Sequence, residues 1–124
     1  MRLFKNTWFN RFAKKEGITD TELREAVNQL EAGQADADLG GGVYKVRVAR
    51  CGEGKSGGYR VIVFFKSKER TFYQYGYSKA DRGNVSQKEL RFYKKIAKTK
   101  LAMSEKELTD AVNAGELIEI QEEQ

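Results

Sequence analysis

The sequence predicts an α+β fold, with N-terminal helices packed on a small antiparallel sheet and further helices towards the C-terminal end. Three observations carry this. Apolar residues recur at helical spacing up to about residue 32. From residue 43 the period changes to two. Two Ser-x-x-Glu signals, at Ser86 and Ser104, then mark a return to helix. A chain of 124 residues reads as one domain spanning 1–124.

Trp8, Phe9 and Phe12 place a short helix over 8–15, with Phe4 just outside it and Gly17 as its end. Thr19 followed by Glu22 opens a helix over 20–32, with Leu23, Ala26, Val27 and Leu30 as its apolar stripe and Gly33 as its C-cap. Residues 35–42, ADADLGGG, read as a turn-rich connector. The strand 43–48 alternates, so Lys45 and Arg47 share one face while Val46 and Val48 share the other. Residues 51–58 read as a glycine loop, and Tyr59–Lys66 as a central strand apolar on both faces. Thr71–Tyr77 is a third strand, expected to carry Tyr73, Tyr75 and Tyr77 on one face. Short links make the three strands an antiparallel meander.

After a polar loop over 78–85, Ser86 with Glu89 starts a basic helix over 87–101. Leu90, Tyr93, Ile96, Ala97 and Leu101 face inward, and Lys88, Arg91, Lys95 and Lys98 outward. Ser104 with Glu107 opens a shorter helix that Gly115 ends, and 117–120 reads as a fourth strand.

The net charge of +5 hides an uneven distribution. Residues 42–100 hold 16 basic and 4 acidic groups, whereas residues 101–124 hold 1 basic and 7 acidic. A cationic middle attracts polyanions, and nucleic acid is the first candidate. The chain has no histidine and one cysteine, Cys51. This removes the commonest general acid–base group, argues against a zinc site and an internal disulfide, and favours a reducing, cytoplasmic setting. No metal or cofactor is expected. The N-terminal stretch lacks the apolar run of a signal peptide or membrane span, so no membrane partner is expected.

Gly54-Lys55-Ser56 resembles the tail of a nucleotide-binding P-loop. The first glycine of that motif falls at position 49, which is alanine, and the loop leads into a strand instead of a helix. A hairpin loop explains it better: Lys55 lies at the tip, Arg60 enters the next strand, and Lys45 and Arg47 lie on the partner strand. Lys79 and Arg82 follow in the 78–85 loop. Lysines and arginines among tyrosines, without histidine, suit a phosphodiester. Cations hold the phosphate and stabilise charge that develops on its oxygens. RNA supplies its own nucleophile, the 2′-hydroxyl. Positioning, charge stabilisation and a weak base and acid then suffice. Tyrosines are able to stack unpaired bases.

The order of elements, together with "DLGGGVYKVRVAR", "GKSGGYRVIVFF", "FYQYGYSKADRGNVSQKEL" and "LTDAVNAGELIEI", resembles the RelE/HigB-like toxins of bacterial type II toxin–antitoxin systems over about residues 20–120. The resemblance implies a compact α+β toxin that cleaves mRNA as a ribosome-dependent or ribosome-independent endoribonuclease, halts translation, and is neutralised by a cognate antitoxin; cleavage of ribosome-bound mRNA is the first expectation. By position Lys45 and Arg47 match the basic pair of the family's first main strand, Arg60 its phosphate-binding arginine, and Lys79 or Arg82 its later basic position. Lys45, Arg47, Arg60 and Lys79 are therefore the expected catalytic residues, and Arg50, Lys55, Tyr59 and Arg82 are expected to bind RNA. The family's tyrosine at the start of the last helix is replaced by Val85-Ser86-Gln87-Lys88, which leaves the general base unassigned. ParE-type toxins share the fold but inhibit DNA gyrase without a nuclease site. A non-enzymatic gyrase inhibitor and a plain nucleic-acid-binding module therefore stand as alternatives.

Overall fold

The computed structural model describes residues 1–50 and 54–121, with residue 50 and residues 54–57 described by backbone alone. In chain order the elements are β1 (Arg2–Asn6), α1 (Thr7–Glu16), α2 (Asp20–Glu31), β2 (Ala37–Gly40), β3 (Val43–Arg50), β4 (Gly54–Lys66), β5 (Arg70–Ser78), α3 (Gln87–Leu101), α4 (Glu105–Asn113) and β6 (Leu117–Ile120). The strands form one sheet in the order β2-β3-β4-β5-β1-β6. Only the β1–β5 pair is parallel.

The helices begin where their capping residues stand. Thr19, Ser86 and Ser104 each accept the backbone N–H three residues on, and Glu89 and Glu107 return the bond to complete two capping boxes. Helices α1 and α2 pack Phe9, Ala13, Leu23, Ala26, Val27 and Leu30 on one sheet face, against Val46, Val48, Val61 and Val63. Helices α3 and α4 pack Tyr93, Ala97, Leu108 and Ala111 on the other, against Val43, Ile62, Phe64 and Phe72. Strand β4 is central because alternate residues feed both cores, as its two-faced apolar run predicts.

Four details differ from the sequence expectation. The segment around Phe4 is strand β1, inserted between β5 and β6. Phe4 is fully buried, stacking on Phe72 at 5.2 Å. A five-residue strand has no period long enough to separate it from a helix lead-in. Part of the 35–42 connector is β2, joined to β3 by a tight turn in which Gly41 and Gly42 both have positive φ. A Cβ on Gly42 would lie 2.4 Å from Leu101 Cδ1, so that site also lacks room for a side chain. Strand β4 starts at Gly54, five residues earlier than its β-branched run indicates, because Gly54 pairs with Arg50. The glycine loop is therefore mostly strand.

Finally, the register of β4 against β5 shifts between Ile62↔Tyr75 and Val63↔Tyr73, which makes Gln74 an extra residue. Tyr73 thereby joins the α1/α2 core, where its hydroxyl donates to Leu23 O at 2.6 Å. Tyr75 and Tyr77 point to the opposite face, so the three tyrosines do not form one row. Asn6 caps α1 and also donates to Gln74 O at 3.0 Å, tying the bulge to the helix start.

Candidate functional site

Helix α3 covers only part of its sheet face. Where it stops, the inward positions of β3 and β4 change from apolar to charged. Lys45 pairs with Ile62, and Arg47 pairs with Arg60. Pleating puts Lys45, Arg47 and Arg60 on the face that also carries Tyr77, the cross-strand partner of Arg60. The loop after β5 closes the opposite wall. The result is an open cleft of about 430 Å³ lined by Asp36, Lys45, Arg47, Arg60, Tyr77, Lys79, Arg82, Gly83 and Asn84.

Asp36 sits among the strand cations. Arg47 Nε donates to its Oδ1 at 2.8 Å, while Lys45 Nζ lies 3.4 Å and Arg60 Nε 3.8 Å from its Oδ2. Burial pushes the Asp36 carboxyl up, but hydrogen bonds and charges from Lys45 and Arg47 outweigh it and hold the group below its ordinary value. Asp36 is therefore ionised at neutral pH. Lys45 also donates to Asn84 Oδ1 at 3.4 Å. The Arg60 side chain is 8% exposed, and its Nη1 is buried without a hydrogen-bond partner among the described residues. A buried, unmatched guanidinium N–H is costly, and it marks Arg60 as a side chain whose place in the cleft lining needs a reason.

Arg82 is held as a fork by Glu89, with Nη2 to Oε1 at 2.6 Å and Nη1 to Oε2 at 2.9 Å. Its guanidinium lies 5.3 Å from the Tyr77 ring centroid and 5.8 Å from that of Tyr75. The Arg82 fork and the Ser86 N–H hold the Glu89 carboxyl down at about 2. Burial pushes the Tyr77 phenol up, against the pull of Arg82 and Arg60, so it keeps its proton at neutral pH.

The structure thus brings together Lys45, Arg47, Arg60, Lys79 and Arg82 out of the residues singled out in the sequence. Tyr59 is a correction. It is 3% exposed on the α1/α2 face, with its hydroxyl 2.9 Å from Glu16 Oε2, and alternation along β4 turns it away from Arg60. The side chains of Arg50 and Lys55 lie outside the described residues.

Sequence reasoning missed Asp36, Tyr77 and Asn84. Asp36 lay in a presumed connector, and nothing local pairs it with a strand 9 to 24 residues away. The spacing of Tyr77 from Arg60 becomes meaningful only through the β4–β5 register.

The cleft is an anion site: five cations line it against one carboxylate, Asp36, and Arg82 is paired from behind by Glu89. It is built from the strand meander and the loop leading into α3. Residues 1–120, which include every strand and helix described above, match the family of the RelE toxin of the RelE/RelB toxin–antitoxin system. The chain belongs to this family of toxins.

Proposed function

We propose that the protein is an endoribonuclease that cleaves mRNA on the translating ribosome and is held inactive by a cognate antitoxin. The observation that carries this reading is Arg60: nearly buried in the lining of a cationic cleft, with Nη1 unmatched among the described residues. A phosphate in the cleft lies against this guanidinium and neutralises its charge. Lys45, Arg47 and Lys79 surround the same volume. They stabilise the charge that grows on the non-bridging oxygens as phosphorus becomes five-coordinate.

The reaction in this reading is internal transesterification. The 2′ oxygen attacks phosphorus, the bond from phosphorus to the 5′ oxygen breaks, and the products are a 2′,3′-cyclic phosphate and a 5′-hydroxyl. The 2′ proton passes to a base and one proton is delivered to the departing 5′ oxygen. Tyr77, protonated and on the cleft wall, is the donor for that second transfer. Arg82 orients the Tyr77 ring and adds positive charge at the rim. An antitoxin suited to this face carries acidic groups, so its association weakens as salt rises.

The test is cleavage of mRNA in a translating extract by the wild type and by Arg60→Ala. Loss of a donor to the developing charge lowers the rate about 10²- to 10³-fold. Equal cleavage by both proteins, or none by either, overturns the reading. DNA damage in cells with intact mRNA assigns the cleft to the gyrase-directed alternative.

A further inference from the structure

We infer that Asp36 is a positioning residue: a built-in counter-anion that aims Arg60 at the substrate phosphate and weakens ground-state binding of RNA. The inference rests on the nuclease reading for its turnover arm only. Its binding arm stands on geometry.

Asp36 immediately precedes β2, the outermost strand. Its neighbour Ala37 pairs with Lys45, so the edge strand fixes the carboxylate beside the basic positions of β3. The side chain is 13% exposed and ionised, within 2.8–3.8 Å of three cationic groups. In a cleft with an excess of cations, such a group opposes an incoming phosphate. Its position explains its presence. Its Oδ2 forms an ion pair with Arg60 Nε at 3.8 Å, longer than a hydrogen bond, and Nη1 has no hydrogen-bond partner among the described residues. The Nε edge of this planar, five-donor group faces the carboxylate, which sets the plane in which its other N–H groups lie.

Arg47 and Lys45 are anchored by the same carboxylate. Without Asp36, three like charges on adjacent strands repel and spread. A cleft of unanchored cations still binds phosphates, and binds them tightly, but binding that is equal in ground and transition states does not raise turnover. Alignment to the five-coordinate phosphorus does. Asp36 exchanges affinity for alignment.

The experiment compares wild type, Asp36→Asn and Asp36→Glu. Binding is measured with a short single-stranded oligoribonucleotide carrying 2′-deoxy sugars, which cannot be cleaved by the internal route. Turnover is measured as mRNA cleavage in the translating extract. Asp36→Asn is expected to bind the deoxy-substituted strand at least about threefold more tightly, because one opposing charge is gone. It is expected to cleave about 10²-fold more slowly, because the cations lose their anchor. Asp36→Glu is expected to recover part of the turnover and to restore the weaker binding.

Unchanged or weaker binding by Asp36→Asn overturns the inference, whatever the turnover. So does a loss of the acidic limb of the pH–rate profile in Asp36→Asn, which makes Asp36 the proton acceptor. Wild type that binds the strand with the expected Asp36 dependence but cleaves nothing overturns the nuclease reading and leaves the counter-anion standing.

Discussion

Tyr77 stands where packing and chemistry meet. It is 5% exposed, yet its ring lines the cleft and faces the Arg82 guanidinium. Its phenol is raised mainly by burial, with Arg82 and Arg60 acting against the rise. A group in that position holds its proton at neutral pH and donates it only to a strong acceptor, such as a departing alkoxide. Tyr77→Phe keeps the ring and its packing and removes the donor. It is expected to lower mRNA cleavage by about 10²-fold while leaving the affinity for a deoxy-substituted strand unchanged. A parallel loss of affinity reassigns Tyr77 to binding. Gly76, the next residue back, shows a different constraint. A Cβ there would lie 2.3 Å from Phe12 Cε2, so α1 sits directly on the backbone of β5. The sequence shows a glycine amid a strand, but not the ring that requires it.

At the scale of elements, the N-terminus of α3 organises one wall of the cleft. Glu89 fills two roles with one carboxylate: Oε1 closes the capping box on Ser86 N–H at 3.1 Å, and both oxygens hold Arg82. The folded carboxyl sits at about 2 against an ordinary 4.5. A depressed carboxyl contributes stability that is fully present above about pH 4.5 and is lost as pH falls towards 2. Glu89→Ala is expected to lose about 1 kcal/mol near neutral pH, the usual worth of a helix cap, read from the urea midpoint. The difference from wild type should shrink between pH 4.5 and pH 2. A constant difference across that range removes the carboxylate from the explanation. All four helices were legible because capping residues and the period of 3.6 are local signals. The missed strands, β1 and β2, have 5 and 4 residues; β1 owes its existence to hydrogen bonds with strands far along the chain, and β2 to a hairpin with β3 whose apolar alternation is too short to read. Local periodicity carries no trace of such partners.

Over the whole molecule, charge follows the fold. Many basic residues of 42–100 lie in the cleft or on the outer face of α3, where Lys88, Arg91, Lys95 and Lys98 are exposed, while Lys66, Lys68 and Arg70 lie at the β4–β5 turn. Lys45, Arg47 and Arg60 are drawn inward by sheet pairing and meet Asp36. Binding of single-stranded RNA should therefore weaken linearly in log salt, by roughly 0.7 for each phosphate neutralised. Arg60→Ala is expected to flatten that slope by about 0.7, measured by titration of a deoxy-substituted strand at several salt concentrations. A slope unchanged by the substitution places the phosphate elsewhere.

By itself the sequence determined the fold class, the helices, the three-strand meander and the five cations that line the cleft. Each follows from short-range rules: capping, alternation and the clustering of like charge. Only the tertiary structure decided which groups share the cleft with those cations. The edge pairing of β2 brings Asp36 to them, and the bulge at Gln74 sends Tyr73 into the core while Tyr77 stays at the wall. These outcomes depend on register between strands, and register is set by contacts across the sheet.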